Sequence, residues 1–221
     1  MCPEYQGSVR TLFHFEHSVF SRRTRLALAH KGLTVELKEG RADASNLEAS
    51  RKLQPLRTMP VFVEEDGQAL GDSSAIVQYL DVAYRDNPLL PTDAKAARDA
   101  LAIMTAVDVA MNAVVDCGTR LFELRNDPAW AEMKEERMAR AHEAIDFVAT
   151  RTTRPYLAGD AWSAADIWVY SATRWVDAWP GRVETSPQVA KMITLGFKLP
   201  AALVSWSKQH DSRADVRSIY G

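Results

Sequence analysis

The stretch from Thr58 to Leu80 reads TMPVFVEEDGQALGDSSAIVQYL. Its VFV run at 61–63 consists of β-forming side chains between a proline and an acidic turn. The dipeptide Asp66-Gly67 is typical of a hairpin turn, which predicts two antiparallel strands. A helix should follow, because apolar residues recur at helical spacing from Ile76 onward.

Two points in this stretch offer main-chain groups to a ligand. Proline cannot donate to a strand ladder, so Pro60 marks an edge at the strand start and leaves the main chain of Met59 available. A Met-Pro bond can also adopt the cis form. Asp72 or Ser73 is a typical helix N-cap, and a helix N-terminus favours a bound carboxylate. The stretch therefore suits a small peptide ligand with a carboxylate group.

These residues resemble the glutathione-binding segment of the cytosolic glutathione S-transferases, which usually reads Val-Pro, then a hairpin, then Glu or Asp followed by Ser. The resemblance implies that Pro60 is cis and that Met59 pairs with the cysteinyl main chain of glutathione. It also implies that Asp72 and Ser73 hold the γ-glutamyl end. An ordinary hairpin followed by a capped helix is the alternative explanation of the same residues.

Composition argues against several other classes of function. The 221 residues carry 27 basic and 29 acidic side chains, and this formal charge of −2 predicts neither nucleic acid nor an acidic membrane as partner. No apolar run reaches the length of a membrane span, and the N-terminus lacks the profile of a secretory signal. Cys2 and Cys117 are too few for a disulfide framework or a metal site, so we expect no metal and a reducing, cytoplasmic setting.

The elements before this stretch complete a thioredoxin-like pattern. An alternating strand at 9–15 leads through a polar turn to a helix that ends at Gly32. A second strand begins near Val35, and a short helix at 46–53 stops ahead of Pro55. With the hairpin and its helix, the order becomes βαβ-αββα.

The second half of the chain is helical by pattern. Residues 84–93 contain two prolines among polar side chains and indicate a linker. Helical spacing then dominates, with no convincing strand. Because mixed α/β structure precedes a helical region, we predict an α/β thioredoxin-like N-terminal domain at 8–84 and an all-α helical C-terminal domain at 93–221.

One helix start in the C-terminal half indicates a structural role. Ser163 and Asp166 have the spacing of a capping box, and Trp162 and Ile167 flank it as a hydrophobic staple would. The motif resembles the capped helix in the C-terminal domain of the same transferase family, where it supports folding rather than chemistry.

The first helix start carries the predicted chemistry. The thiolate is the nucleophilic form of glutathione, and a thiol of pKa about 8.5 is mostly protonated at neutral pH. A helix N-terminus favours negative charge, and a hydroxyl that donates to the sulfur stabilises the anion further. Ser18, in the segment HSVFSRRTRLAL at 17–28, is the candidate for this catalytic role. Its simpler explanation is an N-cap.

The same segment resembles the Ser-x-x-Ser-x-Arg-x-Arg pattern of serine-type transferases such as the zeta and tau classes, in which the first serine is the activator. The resemblance places this role on Ser18. Omega and glutaredoxin-like members have cysteine there, so Ser18 and Ser21 stand where a Cys-x-x-Cys pair would be. A dithiol mechanism is therefore not expected. Tyr5 precedes the first strand, too early to be the activating tyrosine of other classes.

Basic residues near these helix starts have two explanations. Arg22, Arg23 and Arg25 form either a solvated face, with Arg23 or Arg25 paired to a carboxylate, or a positive field that draws the anionic tripeptide. Three further basic residues are candidates for the glycyl carboxylate of glutathione, and their spacing does not choose among them: Arg41, Lys52 and Arg57.

The resemblance implies a second-substrate site between the domains. Candidates are His17 and Phe20 at the first helix start, and Asp108 and Asn112 on the first long helix of the C-terminal half. Asp108, Asn112 and Asp116 recur at four-residue spacing. This polar stripe is either a wet helix face or the polar side of a substrate cleft or dimer groove.

The predicted function is that of a glutathione transferase, with glutathione as co-substrate and its thiolate attacking a small hydrophobic electrophile. A glutathione-dependent isomerase or ether-cleaving lyase would use the same residues. A non-catalytic relative would keep glutathione binding alone. The resemblance further implies a homodimer with a role in detoxification.

Overall fold

A computed structural model describes residues 9–119 and 121–220, which form two compact units. The first unit takes in the chain up to Leu90 together with the residues from Ser212 onward, and the second runs from Pro91 to Asp211. The predicted C-terminal domain at 93–221 therefore needs correction at its end, because the last segment belongs with the first unit. Cys2 and Tyr5 lie outside the described residues.

The first unit is built on a four-stranded mixed sheet in the order β2-β1-β3-β4. The strands are β1 (Thr11–His14), β2 (Glu36–Glu39), β3 (Val61–Val63) and β4 (Ala69–Gly71). β1 pairs in parallel with β2 and antiparallel with β3, and β3 pairs antiparallel with β4, which confirms the predicted hairpin. Every residue of the two central strands, β1 and β3, is buried.

Helices cover this sheet. They are α1 (Val19–His30), α2 (Ala44–Leu53) and α3 (Ser73–Ala83). Phe13 of β1 packs in one cluster with Ala49 and Leu53 of α2. α1 and α3 pack against each other, and their residues Leu26 and Leu80 are fully buried. This arrangement confirms the thioredoxin-like fold predicted from the order of elements.

A buried lysine ties the end of α1 to the end of α3. The side chain of Lys31 is 0% exposed, and its Nζ donates to Asp81 Oδ1 at 2.9 Å and to the carbonyl oxygens of Tyr84 and Asp86 at 2.7 and 3.1 Å. Asp81 Oδ1 also accepts from the backbone N–H of Leu89 at 2.6 Å. Each of the three ammonium protons therefore has an acceptor.

The second unit is helical, as predicted. Its helices are α4 (Ala94–Gly118), α5 (Pro128–Ala149), α6 (Ala164–Asp177), α7 (Pro187–Ile193) and α8 (Ala201–Lys208), with 3-10 turns at Phe122–Leu124 and Pro180–Arg182. By length and composition α4 could cross a membrane, but the core helix of a globular unit passes the same test. α4 packs against α5, α6 and α7 and buries Val107, Met111 and Val114.

The buried centre of the second unit is α6, in which Trp168 is 0% exposed. The predicted capping box is present at its start. The backbone N–H and the hydroxyl of Ser163 donate to Asp166 Oδ2 at 2.8 and 2.9 Å, and the backbone N–H of Leu157 donates to Asp166 Oδ1 at 2.9 Å. Burial raises the pKa of Asp166 to about 6 against these bonds, which favour the carboxylate. The contacts agree with the folding role assigned to this motif.

The last helix, α9 (Ala214–Tyr220), packs on α1 of the first unit. Arg25 Nη2 donates to the carbonyl oxygen of Ile219 at 3.3 Å, and His30 Nδ1 lies 3.3 Å from Asp215 Oδ2. These contacts join residues more than 180 positions apart. No local pattern announces them, which is why the sequence alone assigned this helix to the C-terminal domain.

Candidate functional site

Two serines at the start of α1 have different surroundings. Ser18 is the half-buried N-cap residue, and its Oγ accepts from the backbone N–H of Ser21 at 3.4 Å. Ser21 is 0% exposed, and its Oγ accepts from the backbone N–H of Phe15 at 3.1 Å. A hydroxyl that accepts a bond keeps its proton to donate. Ser18 is therefore an N-cap that can also donate to a ligand, whereas Ser21 fastens the loop before the helix.

The loop before β3 contains a cis Met59–Pro60 bond, as the resemblance implied. Gln54, which is 5% exposed, holds this loop in place. Its Nε2 donates to the carbonyl oxygen of Thr58 at 3.1 Å, and its Oε1 accepts from the backbone N–H of Leu56 at 2.8 Å. A Cβ at Gly71 would lie 3.0 Å from the Gln54 side chain, so glycine leaves room for it. Sequence reasoning missed Gln54, although its place at the end of a predicted helix was a signal.

The start of α3 places Asp72 and Ser73 differently. Asp72 is exposed and is the N-cap, with Oδ1 accepting from the backbone N–H of Ser74 at 2.8 Å. Its φ of +74° is uncommon outside glycine and is tolerated best by Asn and Asp. Ser73 is 1% exposed, and its Oγ accepts from Arg23 Nε at 3.0 Å and Nη2 at 2.7 Å. Asp72 thus caps the helix, and Ser73 is bonded to α1.

The arginines of α1 reach different partners. Arg25 is 5% exposed and pairs with the carboxylate of Glu16. Burial alone raises the pKa of Glu16, but the hydrogen bond and charge of Arg25 outweigh it and lower that pKa. Arg22 Nε donates to the carbonyl oxygen of Glu16 at 3.1 Å. The predicted pairing with a carboxylate is confirmed for Arg25, whereas Arg23 reaches the serines of α3.

His14, at the end of β1, is a buried residue that sequence reasoning missed. It is 2% exposed, and its Nδ1 has no hydrogen-bond partner among residues 9–119 and 121–220. Burial, and then the charge of Arg25, lower its pKa. The imidazole is therefore neutral at neutral pH. Its signal in the sequence was the strand alternation, which places it on the same face as the buried Leu12.

The candidates for the glycyl carboxylate lie on separate segments. The guanidinium of Arg41 lies 4.7 Å from the ring centre of Phe15, beside the loop before α1. Lys52 of α2 pairs with Glu48 at 3.2 Å. Arg57 is exposed, with a φ of +53°. These contacts assign the role to none of the three.

Comparison with known proteins decides the family. A model described as the N-terminal domain of glutathione S-transferase matches residues 12–88. Glutathione S-transferase U22 of Arabidopsis thaliana is 30% identical over 174 residues, which cover 76% of this chain and 73% of that protein. The chain belongs to the cytosolic glutathione S-transferase family. A probable maleylacetoacetate isomerase of Caenorhabditis elegans is 29% identical over 174 residues, covering 74% of this chain and 78% of that protein.

Solved structures of glutathione S-transferases share the fold over nearly the whole chain. The transferase from Methylobacterium radiotolerans, in complex with glutathione sulfonate, gives a TM-score of 0.73 at 24% identity and covers 95% of this chain and 93% of that one. The transferase from Methylobacillus flagellatus, with GSH bound, gives a TM-score of 0.72 at 20% identity and covers 95% and 98%. At these identities the likeness shows the fold alone.

In the first unit of this transferase-family chain, the two residues predicted to meet a second substrate lie beside arginines. His17 is exposed, and its Nδ1 lies 3.2 Å from Arg22 Nη2. Phe20 is half-buried, and its ring centre lies 5.0 Å from the guanidinium carbon of Arg23. The ring of Phe20 thus covers a buried cation.

The predicted polar stripe on α4 of the second unit divides into two parts. Asp108 accepts from the indole Nε1–H of Trp168 in α6 at 3.1 Å. Asn112 is exposed and, with Asp116 and Arg137, lines a surface cavity of about 340 Å³ between α4 and α5. Asp108 therefore makes a packing contact with α6, and Asn112 belongs to a separate groove.

Proposed function

We propose that this member of the family binds glutathione on its first unit and activates the thiol at the start of α1. One set of groups in the thioredoxin-like unit carries the proposal. It consists of the main chain of Met59 ahead of Pro60, the start of α3 capped by Asp72, and the half-buried hydroxyl of Ser18. A main-chain partner, an anion site and a hydrogen-bond donor are what this thiol peptide requires.

The proposed orientation places the cysteinyl main chain against Met59 and the γ-glutamyl carboxylate at the start of α3. The N-terminus of this eleven-residue helix carries N–H groups without helical partners and the positive end of the helix dipole. Carboxylates bind at such helix starts. The transferases solved with GSH and with glutathione sulfonate, which share the fold, support the choice of ligand.

The sulfur would then lie at the start of α1, where two effects stabilise its anion. A helix N-terminus contributes about 0.3–1 kcal/mol to a nearby negative charge. A hydrogen bond to a charged group contributes about 1.5–3 kcal/mol. The Ser18 hydroxyl is therefore the larger effect, and together they lower the thiol pKa by about one to three units. The thiol proton leaves to solvent, and the thiolate attacks a carbon of a small hydrophobic electrophile. The carbon–sulfur bond forms as the bond to the leaving group breaks, and with an aryl chloride the leaving group departs to solvent as chloride.

A glutathione-dependent isomerase is the second candidate, which the similarity to the nematode isomerase favours. A thiolate that adds to a carbon–carbon double bond and later leaves would isomerise that bond and regenerate glutathione. The same groups of the first unit would serve this reaction. The two candidates differ in whether glutathione is consumed.

Calorimetric titration with glutathione tests the binding step, and the absence of binding heat from folded protein would overturn the proposal.

Conjugation of a chlorinated aromatic probe tests the chemistry. We expect Ser18→Ala to lower kcat about tenfold or more, because one hydrogen bond to the thiolate is lost. Ser205→Ala, an exposed serine of α8, is the matched control. Equal rates in Ser18→Ala and wild type would remove Ser18 from the mechanism.

If glutathione binds but neither protein conjugates the probe, the isomerase becomes the better candidate, and an activated double bond is the next substrate to test.

The homodimer, the cytoplasmic location and the role in detoxification stay predictions from the resemblance. So does the identification of Arg57 or Lys52 as the partner of the glycyl carboxylate.

A further inference from the structure

Arg23 links the two helix starts that form the proposed glutathione site. It lies on α1, within the two turns that follow Ser18, and is 2% exposed. Its Nε and Nη2 donate to Ser73 Oγ at 3.0 and 2.7 Å, and Nη2 also donates to Ser74 Oγ at 3.2 Å. One guanidinium therefore binds both serines at the start of α3.

These bonds determine what the Ser73 hydroxyl can still do. A hydroxyl has two lone pairs and one proton. Both lone pairs of Ser73 Oγ accept from Arg23, so its proton is the group left for a further partner. That partner must be an acceptor, such as a carboxylate. Bonds from a guanidinium are charge-assisted and hold the hydroxyl more firmly than neutral bonds would.

The charge of Arg23 also stands where the helix dipole of α3 is positive. Without a ligand, the guanidinium and the positive end of the α3 dipole repel each other. A bound anion would be attracted by both. The cation is buried beneath the ring of Phe20, so salt screens it less than a surface charge. The arrangement is therefore selective for a ligand with negative charge at the start of α3.

We propose that Arg23 is a positioning residue for the γ-glutamyl carboxylate of glutathione and acts through the hydroxyl of Ser73. Phe20, which stays a candidate for the second-substrate site, shields this cation. The proposal rests on the proposed glutathione site. It gives α1 two functions, because Ser18 faces the thiol while Arg23 places the other end of the same ligand.

Two ligands separate this role from general support of the fold. One is glutathione, and the other is its analogue with the γ-glutamyl α-carboxylate converted to an amide. We expect wild type to bind glutathione about tenfold or more tightly than the amide, and Arg23→Met to bind the two ligands alike. Arg85→Met removes an exposed arginine of the same unit and is the control that should keep the wild-type preference.

A double-mutant cycle tests the route through the hydroxyl. Ser73→Ala should lose the same preference as Arg23→Met, and the double variant should be no worse than either single one. Where Arg23→Met does not fold, Arg23→Lys performs the test, because it keeps the charge and loses the paired bonds to Ser73 Oγ, and its preference for the carboxylate should fall below that of wild type. Additive losses, or an unchanged preference for the carboxylate in Arg23→Met, would overturn the role of Arg23. Failure of wild type to bind glutathione would instead overturn the proposed function.

Discussion

Ser18 and Ser21 are three positions apart, and their hydroxyls have different hydrogen-bonding roles. The buried Ser21 accepts from the partly buried N–H of Phe15, and a fully buried donor would cost about 1–3 kcal/mol if left unpaired. Ser18 is half-buried and retains a proton to donate. The sequence pattern contained both serines but could not separate these roles, because they depend on which hydroxyl accepts from the loop before the helix and which caps the helix.

The bond between Arg23 and Ser73 could not be predicted from the sequence. Ser73 lies 50 positions further along the chain, and their contact exists only once α1 and α3 pack together. The cap at Asp72, by contrast, follows from a polar residue at a local helix start. Local signals were therefore sufficient for the caps and insufficient for the bond between the two helices.

The buried imidazole of His14 predicts a pH dependence of stability. Burial and the charge of Arg25 lower its pKa from the ordinary value of 6.5. Below that pH the unfolded chain takes up a proton that the folded protein does not, so the free energy of unfolding falls as pH drops. The loss ends once the pH passes the lowered pKa of the folded state.

Urea unfolding of wild type and His14→Gln at about pH 7 and about pH 5 measures this effect. The difference in unfolding free energy between the two pH values should be smaller in His14→Gln. An equal difference in both proteins would show that His14 does not titrate as its burial requires.

Among the elements, the hairpin β3–β4 and the starts of α3 and α6 were predictable because each depends on a few adjacent residues. A turn dipeptide fixes the pairing of the hairpin strands. Side-chain caps mark the helix starts at Asp72 and Ser163. The tie between the ends of α1 and α3 was not predictable, because a lysine after a helix is ordinary in a sequence and becomes distinctive only when its ammonium group is buried.

This tie predicts a large loss of stability in Lys31→Met. The variant removes an ammonium group that is 0% exposed and leaves Asp81 without its cation. Breaking a buried ion pair by removing one partner costs about 3 kcal/mol or more. Lys208→Met, at the exposed end of α8, is the control. Equal unfolding free energies for the two variants would contradict the structural role of Lys31.

For the whole molecule, the division into two units was predictable from the change of pattern near residue 90, whereas the return of α9 to the first unit was not. The spacing of apolar residues predicts which side of a helix is buried, but it does not predict which part of the protein that side packs against. The contact of His30 with Asp215 and the hydrogen bond from Arg25 to Ile219 form only when the chain folds. They make the first unit depend on both ends of the chain.

Truncation after Asp211 should therefore loosen α1. Removal of α9 exposes the surface of α1 that it covers and deletes the carbonyl oxygen that accepts from Arg25 Nη2. Hydrogen exchange followed by mass spectrometry should show faster exchange in α1 and unchanged exchange in α6. Unchanged exchange in α1 would mean that α9 adds nothing to the stability of the first unit.

The proposed function depends on the pKa of the glutathione thiol beside Ser18. A pH titration of the thiolate absorbance, with glutathione bound to wild type and to Ser18→Ala, measures it directly. We predict a thiol pKa clearly below the free value of about 8.5 in wild type, and about one to two units higher in Ser18→Ala than in wild type. A thiol that titrates like free glutathione on the wild-type protein would contradict the account.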